Sequence, residues 1–500
     1  MAVSDPNPAD TEPAPHDSTA GVSRAPSSVP TSGDGLLGIA TSAADAAPPR
    51  SDLTWADLPG RKVGLYGLGV EGRASLRACR SLGVEPIVVQ DEPDHAGVPG
   101  SGDAVRGDPP VIGIGNGGLE ALAACDVVIK SPGISRYGEA VRTLQAAGVA
   151  VVGGTGLWLA GADLSRVLVV TGTKGKSTTT AIAAHLLRGL GFRTLLGGNI
   201  GVPPYDPDVE HDVDYWVVEV SSYQATDLAV SPPVTAVTSL NPDHLPWHRD
   251  DVETYYRDKL SATSRPGARV TVANGDSPLL REHTELLGPR IEWVHDTDEP
   301  GAGWIGGLGL IGRHNRRNAV IAHRALVAMH VPGAEDDAAL ARAARGFQAL
   351  PSRLQTVGHA GGVAFVDDGL STNVLPVLAA VEAFDDRRVA LLVGGRSRHI
   401  DYAPLGVGLR GRTVPLLMVT MPTNGREIHQ QVADAGPGSN VSIVDSESLR
   451  DAVRIAADWA APDGVVLLSP AAPSFDLYRD YQDRGRAFVE AMLAVGGTPS

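Results

Sequence analysis

The chain has 500 residues, 43% of them hydrophobic and 20% charged, which excludes a wholly disordered or membrane-embedded protein; at roughly 150 residues per domain about three cores are expected. A formal charge of -16 argues against general affinity for nucleic acid or anionic lipid, so any anionic substrate has to be gripped locally. Cys79 and Cys125 lack CxxC spacing, no apolar run reaches the roughly 18 residues of a membrane span, and Asp5, Asp10 and Glu12 stand where a signal peptide carries Lys or Arg; a cytoplasmic protein without disulfides or a zinc site is expected.

Residues 1–59 are rich in Pro, Ser, Ala and Asp, lack Lys and contain only Trp55 as an aromatic, so they are expected to form a disordered extension. Order is expected from Lys62, where KVGLYGLGVEGRASLRACRSLG runs from a short apolar strand through a glycine turn into a helix. EPIVVQDE, DVVIKSPGIS and VAVVGGTG follow as further strands of a parallel sheet, which closes a first domain over 60–155. A second domain over 156–349 opens with VLVVTGTKGKSTTTAIAAHLLRGLG, a buried strand at 167–170, a glycine turn, and a helix with Ile182, Leu186 and Leu190 at helical spacing before Gly191. The third, over 350–500, restarts the alternation with GVAFVDD, RVALLVGG, VPLLMVTMP, VSIVDSES and VVLLSPA. The fold class is therefore α/β, with parallel sheets throughout.

The strongest chemical signal is TGTKGKST at 171–178. Backbone N–H groups of a strand–turn–helix junction can surround phosphate oxygens, while Lys176 neutralises charge and the Ser177 hydroxyl reaches Mg²⁺. Gly172, Thr173, Lys174, Gly175 and Thr178 complete the loop, although Val170 stands where a strict Walker pattern has Gly. GLGVEG at 67–72 matches GxGxxG through Gly67, Gly69 and Gly72, with Asp91 near the end of the next strand; alone it suggests a dinucleotide.

TGTKGKST resembles the TGTNGKST phosphate loop of the Mur ligases, with Lys174 in place of Asn, and the family's other marks follow in order. GGNIG at 197–201 is similar to its substrate-side loop, VVEVSSYQ at 217–224 to the strand ending in a metal-binding Glu, and NPDHLPWH at 241–248 to its DHL motif. Lys259 in YYRDKLSA matches the lysine that the family carbamylates, GRHNRRNA at 312–319 its HNxxN motif, and PSRLQ opens the third domain with Arg353.

The resemblance implies three domains: a Rossmann-like UDP-binding domain, a central P-loop-type ATPase domain and a C-terminal Rossmann-like domain. It implies catalytic roles for Lys176, Glu219, His244 and Lys259, and a metal set of Ser177, Glu219, His244 and a carbamylated Lys259 around Mg²⁺. ATP is expected on the 172–178 loop with His314, Asn315, Asn318, Arg353 and Asp367. The UDP-substrate is expected against Gly69, Val70, Glu71, Asp91, Asn199 and the loop of Ser131, Pro132, Gly133 and Ile134.

Within the family, GxGxxG with SPGI and the stretch LLSPAAPSFDLYRDYQDRGRAF at 467–488 resemble the glutamate-adding group. That places glutamate against Thr372, Arg398, Ser474, Phe475 and Tyr481. Leu370 stands where the group has Lys in NDSKATN, and Arg398 where it has Lys in GGxxKGxDF; a guanidinium fork grips a carboxylate differently from a point charge. These departures, with TKGKST, resemble the variant that adds L-glutamate to UDP-N-acetylmuramoyl-L-alanine; the alternative is the same reaction with D-glutamate. A monomer with no nucleic-acid or membrane partner is expected.

Chemistry supports the set independently. Joining a carboxylate to an amine in water needs an activated acyl group, which ATP supplies as an acyl phosphate, and such transfer needs a Lys, Mg²⁺ and hard oxygen ligands. A folylpolyglutamate-type ligase shares this machinery but lacks the GxGxxG domain. An NAD-dependent oxidoreductase uses GLGVEG but leaves TGTKGKST and Lys259 idle, and a catalytically dead binding module leaves all four catalytic residues idle.

Overall fold

The computed structural model describes residues 52–91, 110–298 and 303–500, which form three sheets covered by helices. The first sheet orders its strands Val111–Gly113, Ile87–Gln90, Val63–Tyr66, Val127–Lys130, Ala150–Gly153, all parallel. Chain direction across the sheet reverses at Val63–Tyr66. The turns after this strand and after Val127–Lys130 therefore flank one crevice at the carboxyl edge, the usual ligand position in such sheets.

The middle sheet runs Ile291–Val294, Val270–Asn274, Val234–Val237, Val167–Thr171, Tyr215–Glu219, Thr194–Gly198, again parallel. Val167–Thr171 is buried along its whole length, as a continuous apolar run between two helical layers requires. The helix Lys176–Gly189 that follows buries Ile182, Leu186 and Leu187 against Val320, Ile321 and Ala325 of the helix Arg313–Ala328. Because Val167–Thr171 lies between Val234–Val237 and Tyr215–Glu219, the loops leaving all three strands meet at one edge.

The third sheet runs Val441–Asp445, Leu416–Thr420, Val389–Val393, Val465–Leu468, Val363–Asp367 in parallel, then adds Gln355–Ala360 and Thr498–Pro499 antiparallel. The purely parallel expectation misses this edge, a hairpin closed by Gly361 and Gly362 with φ of 56° and 88°.

Order also begins before Lys62. Thr54 caps a short turn, Trp55–Asp57; the Trp55 ring lies 5.0 Å from that of Tyr205, and Leu58 is fully buried in the first core. The expectation of disorder for residues 1–51 lies outside the described residues. No helix among the described residues is long and apolar enough to cross a membrane.

Candidate active site

The loop between Val167–Thr171 and Lys176–Gly189 is pinned from behind. Thr173 N–H donates to the Ser239 carbonyl at 2.8 Å, the Thr173 hydroxyl donates to the Asn241 carbonyl at 3.0 Å, and Lys174 N–H donates to Ser239 Oγ at 2.9 Å. Two glycines make the approach possible. Gly172 has φ 130° and a Cβ there would lie 2.3 Å from Thr238 Oγ1; Gly175 has φ 89° and a Cβ there would lie 2.7 Å from Asn318 Oδ1. The first N–H groups of the helix at Lys176 have no partners within the helix and are a natural cradle for anionic oxygens.

Charged groups gather on this loop from the ends of the two neighbouring strands and from the helix Val252–Leu260. Lys176 Nζ donates to the Thr173 carbonyl and Lys259 Nζ to the Gly172 carbonyl, both at 3.1 Å. Burial drives both ammonium groups toward neutrality. For Lys259 the charge of Lys176 adds to that effect and carries its pKa well below the ordinary value, while Glu219 works against burial at Lys176. Glu219, 1% exposed at the end of its strand, accepts from Asn199 Nδ2 at 2.6 Å through Oε1, while its Oε2 is buried without a hydrogen-bond partner. Asp243 pairs with Lys174 Nζ at 3.2 Å. His244 adopts a left-handed backbone (φ 52°, ψ 32°), and burial holds its imidazole below the usual pKa, thus uncharged at neutral pH. From the third sheet's side, Arg353 Nη2 donates to Ser177 Oγ at 3.3 Å.

This donor set suits a hard divalent cation. The orphaned Glu219 oxygen and the Ser177 hydroxyl are hard ligands, and His244 offers a neutral nitrogen. Among the described residues no three His, Cys, Asp or Glu side chains form a metal cage, so ligation by protein alone is partial, as is usual for Mg²⁺ held between protein and phosphate. Burial also favours the neutral amine at Lys259, which is the form that adds CO₂.

Of the expected nucleotide residues, Asn318 touches the loop through its approach to Gly175, and Asn315 supports it, accepting from Asn318 Nδ2 at 3.3 Å. His314 lies at the start of the same helix, its pKa lowered by burial to about 4. Asp367 ends its strand buried, accepting from Ser352 Oγ at 2.7 Å and Gly369 N–H at 2.8 Å. Thr178 sits in the first turn of the helix.

At the first sheet, Gly69 faces open space and Val70 is 72% exposed, so both are free to meet a ligand. Asp91, exposed, accepts from the Tyr66 hydroxyl. Glu71, expected on the ligand side, turns the other way: its carboxylate accepts from Gln224 Nε2 at 2.7 Å and the Tyr205 hydroxyl at 3.3 Å. Burial raises its pKa to about 7. The 131–134 loop is similarly tied inward: Ser131 Oγ donates to the Gly67 carbonyl at 2.9 Å, and the Pro132 and Gly133 carbonyls accept from the Trp247 indole at 3.1 Å. Asn199 belongs to the Glu219 cluster rather than to this crevice.

The expected glutamate residues are spread along the carboxyl edge of the third sheet. Ser474 lines a cavity of about 300 Å³ together with Gly394, Gly395, Tyr478 and Arg484. Thr372, Arg398, Phe475 and Tyr481 do not line it; Arg398 and Phe475 are exposed. Arg398 lies close enough for its charge to act on the Tyr223 hydroxyl of the middle sheet's side. Arg484 was missed as a site residue, although it stands within the RG of the 467–488 stretch. It is 1% exposed, donates to the carbonyls of Ala472 at 3.1 Å and Gly369 at 2.8 Å, and burial lowers its pKa to about 10. Also missed were Tyr223, whose ring stacks on Trp247 at 4.6 Å and meets His244 edge-on at 5.5 Å, and Asp227, which holds Lys130 at 2.6 Å and Arg136 at 3.1 Å. Nothing local in sequence marks these pairings.

Known proteins resemble this chain in sequence and in fold. A family model described as the Mur ligase middle domain matches residues 170–296, and one described as the Mur ligase, glutamate ligase domain matches 352–472. A UDP-N-acetylmuramoyl-L-alanine--L-glutamate ligase of Xanthomonas campestris pv. campestris is 38% identical over 465 residues, covering 87% of this chain and 95% of that protein. A protein of the same name from Micromonospora sp. is 38% identical over 461 residues, covering 89% and 99%. In fold, the chain is similar to the MurF ligase of Thermotoga maritima solved with ADP (TM-score 0.51, 14% identity, 90% of this chain and 99% of that one). It is also similar to the UDP-N-acetylmuramate-alanine ligase of the same organism (TM-score 0.51, 17% identity, 87% and 99%).

Proposed function

Because this chain belongs to the Mur ligase family, we propose that it joins L-glutamate to UDP-N-acetylmuramoyl-L-alanine at the expense of ATP, releasing ADP and phosphate. The observation that carries this reading is the convergence of Lys176, Lys259, Glu219 and Asp243 on a single glycine loop at the carboxyl edge of a parallel sheet. The L isomer is supported by the names of the relatives and by Arg398 in place of the group's lysine.

In this reading ATP lies with its phosphates against the loop N–H groups, Lys176 and Ser177, and its base toward His314, Asn315 and Asn318. The crevice of the 60–155 domain takes the uridine nucleotide beside Gly69, Val70 and Asp91, and the 350–500 domain takes glutamate near Ser474 and Arg398. An oxygen of the muramoyl-alanine carboxylate attacks the γ-phosphorus, and the bond to the β,γ-bridging oxygen breaks with its electron pair leaving on ADP. The glutamate amine then attacks the acyl carbon, the C–O bond to phosphate breaks, and the amine loses a proton as the amide forms.

Mg²⁺, when bound by Ser177, Glu219 and His244, supplies charge neutralisation for the transferring phosphoryl group. Lys176 adds a positive charge whose effect is amplified where water is excluded. Glu219 is kept in place by Asn199, and Arg353 reaches Ser177 from the third domain, so that domain's position bears on the reacting end of ATP. A carbamylated Lys259 would provide a further anionic oxygen ligand. We place the enzyme in the cytoplasm, where ATP is available, as a monomer; a single chain supplies every residue of the cluster.

The test is incorporation of labelled glutamate into UDP-N-acetylmuramoyl-L-alanine by the purified chain, run in parallel with each isomer. The expected product forms from L-glutamate. Product from D-glutamate alone would reduce Leu370 and Arg398 to neutral changes, and no product from either would overturn the substrate assignment.

A further inference from the structure

We propose that the Lys174 side chain is a sensor of the ATP γ-phosphate, a cation that Asp243 holds beside the phosphate loop and that exchanges this partner for the terminal phosphoryl group when nucleotide enters. The inference rests on the reading of the loop as the ATP site. It begins from a departure in sequence, since Lys174 stands where the resembled loop has Asn, placing a second lysine in the loop two residues before Lys176.

The backbone at Lys174 is tied at both its N–H and its carbonyl. Its N–H donates to Ser239 Oγ at 2.9 Å, and its carbonyl accepts from the Thr238 hydroxyl and, at 3.0 Å, from Ser239 Oγ. Freedom is confined to the four-carbon side chain, which is 40% exposed and ends 3.2 Å from Asp243, itself 21% exposed. A half-exposed lysine–aspartate pair is weakly held, whereas a terminal phosphoryl group offers more charge and three acceptor oxygens, so exchange of partners is favourable.

Position selects the γ-phosphate. Asp243 adjoins His244 on the loop leaving Val234–Val237, and in the reading above His244 helps hold the Mg²⁺ that neutralises the transferring phosphoryl group, while the loop N–H groups and the helix N-terminus serve the phosphates nearer the base. The charge of Lys174 already acts on Lys176, Lys259 and His244, so its head group belongs to the same electrostatic cluster. After exchange Asp243 Oδ1 still accepts from the His244 backbone N–H at 3.1 Å.

The experiment is calorimetric titration of the full chain, in Mg²⁺, with ADP and with a non-hydrolysable ATP analogue, for wild type, Lys174→Asn and Lys174→Arg, alongside melting of each nucleotide-free protein. Loss of one charge-assisted contact predicts that Lys174→Asn weakens the analogue about tenfold or more and ADP less than about twofold, with Lys174→Arg retaining most of the affinity. Equal weakening of both nucleotides with a lowered melting temperature would make the pair a structural staple and overturn the proposal, as would unchanged binding of both. A wild-type chain that binds neither nucleotide would remove the ATP reading and this inference with it.

Discussion

Lys176 and Lys259 donate to adjacent carbonyls of one loop, and burial favours the neutral amine at both. Glu219 is the largest influence opposing burial at Lys176, whereas at Lys259 the charge of Lys176 adds to the effect of burial. Lys176→Ala is expected to lower kcat by about 100-fold or more, the scale of removing one preorganised transition-state contact, while the Kd for the UDP-substrate stays within about twofold. Stopped-flow phosphate release and titration of the UDP-substrate check the two halves separately. Glu71 gives a prediction in pH. A carboxyl whose folded pKa lies above its unfolded value favours folding while protonated; with the pKa raised from 4.5 to about 7, that contribution is complete below pH 4.5 and is lost as pH rises through about 7. Glu71→Gln keeps an uncharged side chain at all pH values, so its stability relative to wild type should increase between pH 4.5 and 7, by up to roughly 3 kcal/mol. Melting curves across that range check it; a constant difference would show that Glu71 does not titrate there.

At the scale of elements, the phosphate loop depends on glycines where other elements press against it. Gly175→Ala would force a left-handed backbone onto Ala and bring Cβ within 2.7 Å of Asn318 Oδ1, so a loss of at least about 1–3 kcal/mol in nucleotide binding is expected, measured by titration with ADP. Much of this architecture is legible in sequence because parallel strands buried on both faces read as continuous apolar runs; VLVV, VALLV and VVLL each become buried strands. The strand Val111–Gly113 escapes such a reading because three residues carry no pattern, and Gln355–Ala360 because its residues are mostly half-buried, with only the two-residue strand Thr498–Pro499 outside it. The site follows the same division. The loop 171–178 is legible because its chemistry lies in consecutive residues, whereas the inward turn of Glu71 depends on Gln224, 153 residues away. Arg484 is illegible for a similar reason: its carbonyl partners lie on separate loops.

Over the whole molecule, Asp227 is the node joining the first sheet to the middle one. It pairs with Lys130 from the end of Val127–Lys130 and with Arg136 from the following loop, all three almost fully buried. Asp227→Ala leaves two buried cations without their carboxylate and should destabilise by about 3–5 kcal/mol, seen as a lowered Tm and easier proteolysis. An unchanged Tm would mean that the first domain is held by its other contacts. The account as a whole requires the acceptor carboxylate, not water, to attack the γ-phosphorus. The direct measurement is to supply UDP-N-acetylmuramoyl-L-alanine labelled with ¹⁸O in its free carboxylate, together with ATP, Mg²⁺ and L-glutamate, and to weigh the phosphate released. The account predicts one ¹⁸O in each phosphate; unlabelled phosphate, or none released, would contradict it.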